Sequence, residues 1–248
     1  GRHAGLVVDG PEYETIYALG GLNCIAPLEE VLWLNDICDL VGIDTMSAGN
    51  LSGFAIEAYK RGASPFAIDY GQPDRTAELF GLIARREGVG AVLAKGIRAA
   101  AAEWGLADIA MHVKGLEPAG FDPRVLKGMG LSYATAARGG CHLRGTFYKA
   151  ELSGQIEKSQ IRGKAELHID YEDRSCLFDC LIQCRFFRDL LGWDALGALI
   201  RASTGLDWDR GMLERFANSV TQASRAYNLR EGLGPETDWL PPIALRPN

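Results

Sequence analysis

The 248 residues are 47% hydrophobic and 23% charged, the balance of an ordinary globule long enough for one or two domains and a sizeable core. A net charge of −6 with no basic block argues against nucleic-acid binding, and no apolar run approaches the roughly 20 residues that a membrane-spanning helix needs. Six cysteines in a chain of this length, three of them clustered, point to reduced or metal-bound thiols and a cytoplasmic protein rather than a disulfide framework; GRHAGLVVDGPEYET at the start has no signal-peptide layout.

In chain order, Gly1–Pro11 reads as short, extended and glycine-bounded, and begins as if something precedes it. Glu12–Leu19 opens a helix with an acidic pair near its positive end. Pro27 suits the first turn of a helix over Leu28–Val41, where Val31, Leu34, Ile37, Cys38 and Val41 recur at helical spacing and Gly42 follows. Asp44–Gly49 is expected to be a polar turn, Leu51–Arg61 a second helix, and Ala63–Asp74 a linker. Arg75–Glu87 and Val92–Trp104 read as helices parted by Gly88–Gly90, Met111–Glu117 as a candidate strand, and Leu131–Arg138 as a helix after the glycine- and proline-punctuated Pro118–Gly130. Leu143–Tyr171 reads as irregular surface. Helices are then expected over Tyr171–Leu191, Trp193–Thr204 and Arg210–Ala226, before a loop over Arg230–Pro242. The sum is mostly α: two packed helical domains with few short strands, divided as residues 1–111 and 112–248.

The chemistry centres on Glu172–Phe187, EDRSCLFDCLIQCRFF. Cys176, Cys180 and Cys184 are four apart, which puts three sulfurs on one stripe of a helix, flanked by Leu177, Phe178, Leu181, Ile182 and Phe186 and so expected to be buried. Two readings stand. Free cysteines pack in cores as small hydrophobes; alternatively, thiolates ligate an iron–sulfur cluster or another soft metal. Asp179 favours a polar role, because a carboxylate in an apolar helix needs a donor. Asp39-Leu-Val-Gly-Ile-Asp44 and Asp179-Cys-Leu-Ile-Gln-Cys184 each put an acceptor at the end of an apolar run and a second polar ligand five residues on. Acceptor-only carboxylates there suit a ligand rich in N–H donors, such as a pterin.

Six stretches follow one another in a familiar order: GPEYET at Gly10–Thr15, NDICDLVGIDTMSAGN at Asn35–Asn50, HVKGLEPAGFDPR at His112–Arg124, KGMGLSYATAARGGCHLRG at Lys127–Gly145, DCLIQCRFF at Asp179–Phe187 and YNLREGLGPETDWLPP at Tyr227–Pro242. Together they resemble the two C-terminal, helix-rich domains of the aldehyde:ferredoxin oxidoreductase family, enzymes of a tungsten (rarely molybdenum) bis-pterin. The resemblance implies that D-x-x-G-L-(C/D) motifs hold the two pterins. The first falls on Asp39, Gly42 and Asp44. The second falls on Asp179 and Cys184, with Ile182 in place of the glycine and Gln183 in place of the leucine. It further implies that Cys184 is the fourth ligand of a [4Fe–4S] cluster, that Cys176 and Cys180 only pack, and that Glu14 (with Glu12 as the fallback) and His142 lie beside the metal for proton chemistry.

The implied reaction oxidises a small aldehyde to a carboxylic acid and passes electrons through the cluster to ferredoxin or another acceptor. The family's other cluster cysteines, C-x-x-C-x-x-x-C, lie upstream of the GPEYET region, and an N-terminal β-rich domain grips the cofactor phosphates. Neither is in this sequence, so the expectation is a fragment or subunit that needs an N-terminal domain or partner chain and that alone holds no cluster and is inactive. Two rivals stand beside it: a related aromatic-thioester reductase, and a non-catalytic helical interaction module, which the missing triad and Ile182 favour. Other residues keep structural readings. His3, His112 and His168 share no ligand spacing, Cys24 and Cys38 and the tryptophans are expected in the core, Cys141 adjoins His142, and Arg124 and Arg138 are expected at the surface.

Overall fold

A computed structural model describes residues 3–247. They form α1 (Tyr13–Thr15), α2 (Leu28–Val41), α3 (Thr45–Lys60), α4 (Pro73–Arg85), α5 (Val89–Leu93), α6 (Ile97–Trp104), α7 (Lys127–Thr135), α8 (Tyr148–Leu152), α9 (Lys164–Cys180), α10 (Trp193–Thr204) and α11 (Arg210–Arg230), joined by short 3₁₀ and π turns. Among the described residues the one β feature is an isolated antiparallel bridge between Val113 and Leu116, so the strand expected over Met111–Glu117 is not formed. No helix among them is long and apolar enough to cross a membrane. Two compact units emerge, one of Gly1–Gly120 with Leu240–Asn248 and one of Phe121–Trp239. The sequence reading put the division after residue 111 and had no return of the C-terminus to the first unit.

In the first unit, α4 shows the logic most simply. Pro73 supplies a first-turn residue whose missing N–H costs nothing, and Thr76, Leu79, Phe80 and Ile83 bury one face. That face joins Leu34 and Val31 of α2, Ile56 of α3 and Ile97 and Ala100 of α6 in one core. The polar turn expected at Asp44–Gly49 is instead the first turn of α3. Asp44 caps it, accepting from Ser47 N–H at 2.8 Å, and a side-chain cap offers the backbone a better start than the turn that the polar residues suggested. Gly49 within it has no room for a side chain, because a Cβ would fall 2.3 Å from the Ala18 carbonyl oxygen. The helix expected over Val92–Trp104 is two helices, α5 and α6, parted at Gly96, whose φ of +87° no helix can contain.

In the second unit, α9, α10 and α11 share a core of Leu177, Phe178, Leu196, Ile200, Leu213 and Ala217. The stretch expected to be irregular, Leu143–Tyr171, holds α8 and the first turns of α9. Polarity misled the reading there: Lys164 and Glu151 are both buried, paired at 2.5 Å. Glu151 also accepts from Gly128 N–H at 2.7 Å and Met129 N–H at 3.0 Å, so a buried carboxylate caps α7 and its lysine partner neutralises it. The helix expected over Leu131–Arg138 therefore begins at Lys127, where that cap sits, and ends at Thr135.

Candidate functional site

In the first unit the Asp39–Asp44 segment is the end of α2 and the start of α3. Asp39 stands exposed on the last turn and accepts from Asn35 Nδ2 at 3.0 Å. Gly42 takes φ +73°, and the Gly42 and Ile43 N–H groups both turn back to the Cys38 carbonyl, the latter at 2.9 Å. This is a six-to-one closure with a left-handed residue, the usual way a helix is stopped. Asp44 then returns to extended backbone (φ −60°, ψ 130°) to cap α3.

The second segment repeats this backbone. The Gln183 N–H closes on the Phe178 carbonyl at 2.8 Å, Ile182 takes φ +56°, and Cys184 returns to φ −63°, ψ 130° as the cap position of a 3₁₀ turn over Arg185–Phe187. Each segment thus presents a carboxylate on the last helical turn, a left-handed residue three positions on, and an Asp or Cys in extended conformation two beyond that. Asp44 lies five positions after Asp39 and Cys184 five after Asp179, and the same loop geometry carries both pairs.

The continuous cysteine helix over Tyr171–Leu191 is not formed. α9 ends at Cys180, so Cys184 leaves the stripe of Cys176 and Cys180 and stands exposed on the loop. Burial also fails at that end: Cys180 is exposed, Ile182 is 93% exposed and Phe186 79%, while Leu177 and Phe178 are fully buried. The core cysteine here is Cys176, half-buried, whose thiol is pushed up to about 12 by burial and by its neighbour Cys180. Cys38 is buried as expected, with its thiol also raised to about 12, whereas Cys24 is exposed and not in the core. Trp239 is likewise exposed.

The remaining candidates attach to these two loops. Glu14 is half-buried on α1, next to Thr15, whose hydroxyl is 2.8 Å from that of Thr45 at the head of α3. The α1 turn is held at its other side by Tyr13, whose hydroxyl donates to the Gly120 carbonyl at 3.2 Å. His142 is half-buried, its ring 5.9 Å from Phe121, which stacks on Tyr148 at 3.9 Å. Two residues on, Arg144 Nη1 donates to Asp179 Oδ2 at 2.7 Å, and Arg185 Nη2 reaches the same oxygen at 2.8 Å. The His142 loop is thereby clipped to the second motif. Gly145 lets it lie low on α9, because a Cβ there would fall 2.8 Å from His168 Nε2 and 2.9 Å from Ser132 Oγ. Within each unit, then, one contact links the neighbourhoods of a motif and a proton-transfer candidate: Thr15, next to Glu14, meets Thr45, next to Asp44, and Arg144, two residues after His142, holds Asp179.

Three residues escaped the sequence reading. Arg144 and Arg185 hold Asp179, and their signal was adjacency: each lies within two residues of a named candidate. Glu117 is the third. It is 6% exposed, accepts from Ser47 Oγ at 3.0 Å, and so stands behind the residue that Asp44 caps. Burial, foremost, and the nearby Asp44 charge push its carboxyl up, while hydrogen bonds from its own N–H, Ser47 and the Ile97 N–H oppose the shift. Its signal was a lone acid between Leu116 and Pro118 in HVKGLEPAGFDPR.

Residues 1–248 match the family model described as aldehyde ferredoxin oxidoreductase, domains 2 and 3. The chain is 33% identical over 243 residues to a tungsten-containing aldehyde ferredoxin oxidoreductase of Pyrococcus furiosus, a match covering 93% of this chain and 40% of the relative. A protein of the same description from Thermococcus kodakarensis is 33% identical over 245 residues, covering 94% and 40%. An aliphatic sulfonate oxidoreductase, WOR-like subunit, of Pyrococcus furiosus is 31% identical over 155 residues, covering 57% and 25%. The chain spans about two fifths of the length of the tungsten-containing relatives that it matches.

Proposed function

The chain belongs to the aldehyde ferredoxin oxidoreductase family, and we propose that it is the C-terminal region of a tungstopterin oxidoreductase that oxidises aldehydes to carboxylic acids in the cytoplasm. The observation that carries this reading is the repeated loop: one backbone geometry presenting Asp39 and Asp44 in one unit and Asp179 and Cys184 in the other. Asp39, Asp44 and Asp179 would hold the pterins by accepting from their N–H donors, and each is already oriented by the protein, Asp39 by Asn35, Asp44 by Ser47, and Asp179 by two arginines.

The donor set fits the cluster in part. Cys184 is one exposed thiol on a turn fixed by backbone hydrogen bonds, and among the described residues no three His, Cys, Asp or Glu side chains gather as a metal would need. In this reading Cys184 would be one ligand of a [4Fe–4S] cluster, with the other ligands coming from an N-terminal domain or a partner subunit, and the chain by itself is expected to hold no cluster and to be inactive.

Oxidation of an aldehyde consumes one water and yields the acid, two protons and two electrons. The bound tungsten (or molybdenum) pterin would take the electrons and the cluster would pass them to ferredoxin. Glu14 takes a proton from water or from the hydrated aldehyde. His142 donates a hydrogen bond to the carbonyl oxygen as charge develops there. Arg144 keeps the His142 loop in register with Asp179. In the full-length protein, Glu14→Gln and His142→Ala are expected to retain the wild-type tungsten content and to lower turnover about 100-fold or more, the usual share of one acid–base group. Unchanged turnover in either variant removes that residue from the chemistry; loss of tungsten makes it a cofactor-holding residue instead.

A further inference from the structure

A cavity of about 310 Å³ lies within the second unit, between α9 and α11. Ala137, Val220 and Cys176 are its apolar lining, and Arg144, Glu172, Arg225 and Asp238 are among its polar lining. Its size is at the lower end of small-molecule sites.

Both arginines are held in place before any ligand arrives. Arg144 Nη1 donates to Asp179 Oδ2 at 2.7 Å, and Arg225 grips Asp238 with Nη1 to Oδ1 at 3.2 Å and Nη2 to Oδ2 at 2.7 Å. A guanidinium carries five N–H donors, more than these pairings use, and one already fixed loses little freedom on meeting a ligand. Burial, the largest influence, and the neighbouring Asp173 raise the Glu172 carboxyl, against a lowering by Arg144. Burial raises the Cys176 thiol to about 12, so it meets a ligand as an apolar surface rather than as a thiolate. The cavity thus offers two fixed guanidinium groups beside apolar surface.

We propose that this cavity binds a small monocarboxylate, with its oxygens toward Arg144 and Arg225 and its hydrocarbon toward Ala137, Val220 and Cys176. The site needs neither pterin nor cluster, so its readout is binding rather than turnover and it stands or falls apart from the redox reading. Calorimetric titration of the full-length protein with benzoate tests it. Saturable binding is expected, with the neutral isostere benzamide and the cation benzylamine at least tenfold weaker. Arg225→Gln and Val220→Trp are each expected to weaken benzoate at least tenfold; the second fills the cavity and leaves the Arg225–Asp238 pair intact, so it keeps the test valid if the first disturbs folding. Absence of saturable benzoate binding by the folded protein, equal binding of benzamide, or undiminished binding by folded Val220→Trp would each overturn the proposal.

Discussion

Ile182 is the residue at which the two motifs part. A β-branched side chain at φ +56° costs about 1–2 kcal/mol relative to extended or helical backbone, and Gly42 at φ +73° incurs no such cost. Ile182→Gly should therefore raise stability by roughly 0.5–1 kcal/mol after glycine's extra chain entropy, about 0.5–1 kcal/mol, is deducted. A higher urea midpoint at unchanged slope checks this, and a lower midpoint contradicts it. Because the Ile182 side chain is 93% exposed, the substitution removes no packing from the core. Thiol chemistry separates the cysteines in the same way. Cys180 and Cys184 are exposed, whereas Cys38 is buried and Cys176 half-buried, both with thiols raised to about 12. Iodoacetamide at pH 8 should alkylate Cys180 within the native protein and reach Cys38 and Cys176 only after unfolding, as peptide mass mapping would read directly. Early modification of Cys38 or Cys176 would contradict the packing described.

At the scale of an element, α9 is the member on which the second unit depends. It buries Leu177 and Phe178 against α10 and α11, carries Glu172 and Cys176 into the cavity, and turns His168 under the Gly145 loop. His168 is 5% exposed and burial depresses its pKa from 6.5 to about 4. The folded state thus resists a proton that the unfolded chain accepts. Its contribution is fully present above about pH 6.5 and is lost as pH falls toward 4, a difference of about 3 kcal/mol at one pKa unit per 1.36 kcal/mol. His168→Gln should flatten the fall in unfolding free energy between pH 7 and pH 4.5 relative to the parent chain. The carboxyls with raised pKa, Glu117, Glu172 and Asp173, act in the opposite sense in both proteins and cancel in the comparison. Parallel pH profiles for the two proteins would contradict a neutral buried His168.

At the scale of the molecule, legibility followed the type of signal. α2 was readable to the residue because the apolar spacing from Val31 to Cys38 and the stopping Gly42 agreed, and α10 likewise ended where Gly205 takes φ +78°. α9 was misread at both ends for opposite reasons. Its polar first turns hide a buried lysine held by Glu151 and by the Glu157 and Lys158 carbonyls, none of them within its own helix, and its last apolar residues continue the pattern past the point where the backbone turns left-handed without a glycine to announce it. The spacing of Asp39 to Asp44 and of Asp179 to Cys184 was legible in the sequence, and the two segments share one backbone turn. What holds them, Glu117 through Ser47 and Arg144 and Arg185 on Asp179, depends on contacts between segments 35 to 70 residues apart for Arg144 and Glu117, which spacing within one motif does not encode.

The central claim is that the Cys184 loop ends at a cluster supplied by the rest of a tungsten oxidoreductase. Iron analysis of the purified full-length protein, wild type beside Cys184→Ala, tests it most directly. The account predicts stoichiometric cluster iron in the wild type and its loss in the variant, with far-ultraviolet circular dichroism unchanged because Cys184 is an exposed loop residue. Iron retained in full by Cys184→Ala, or absent from a folded wild type, would contradict it.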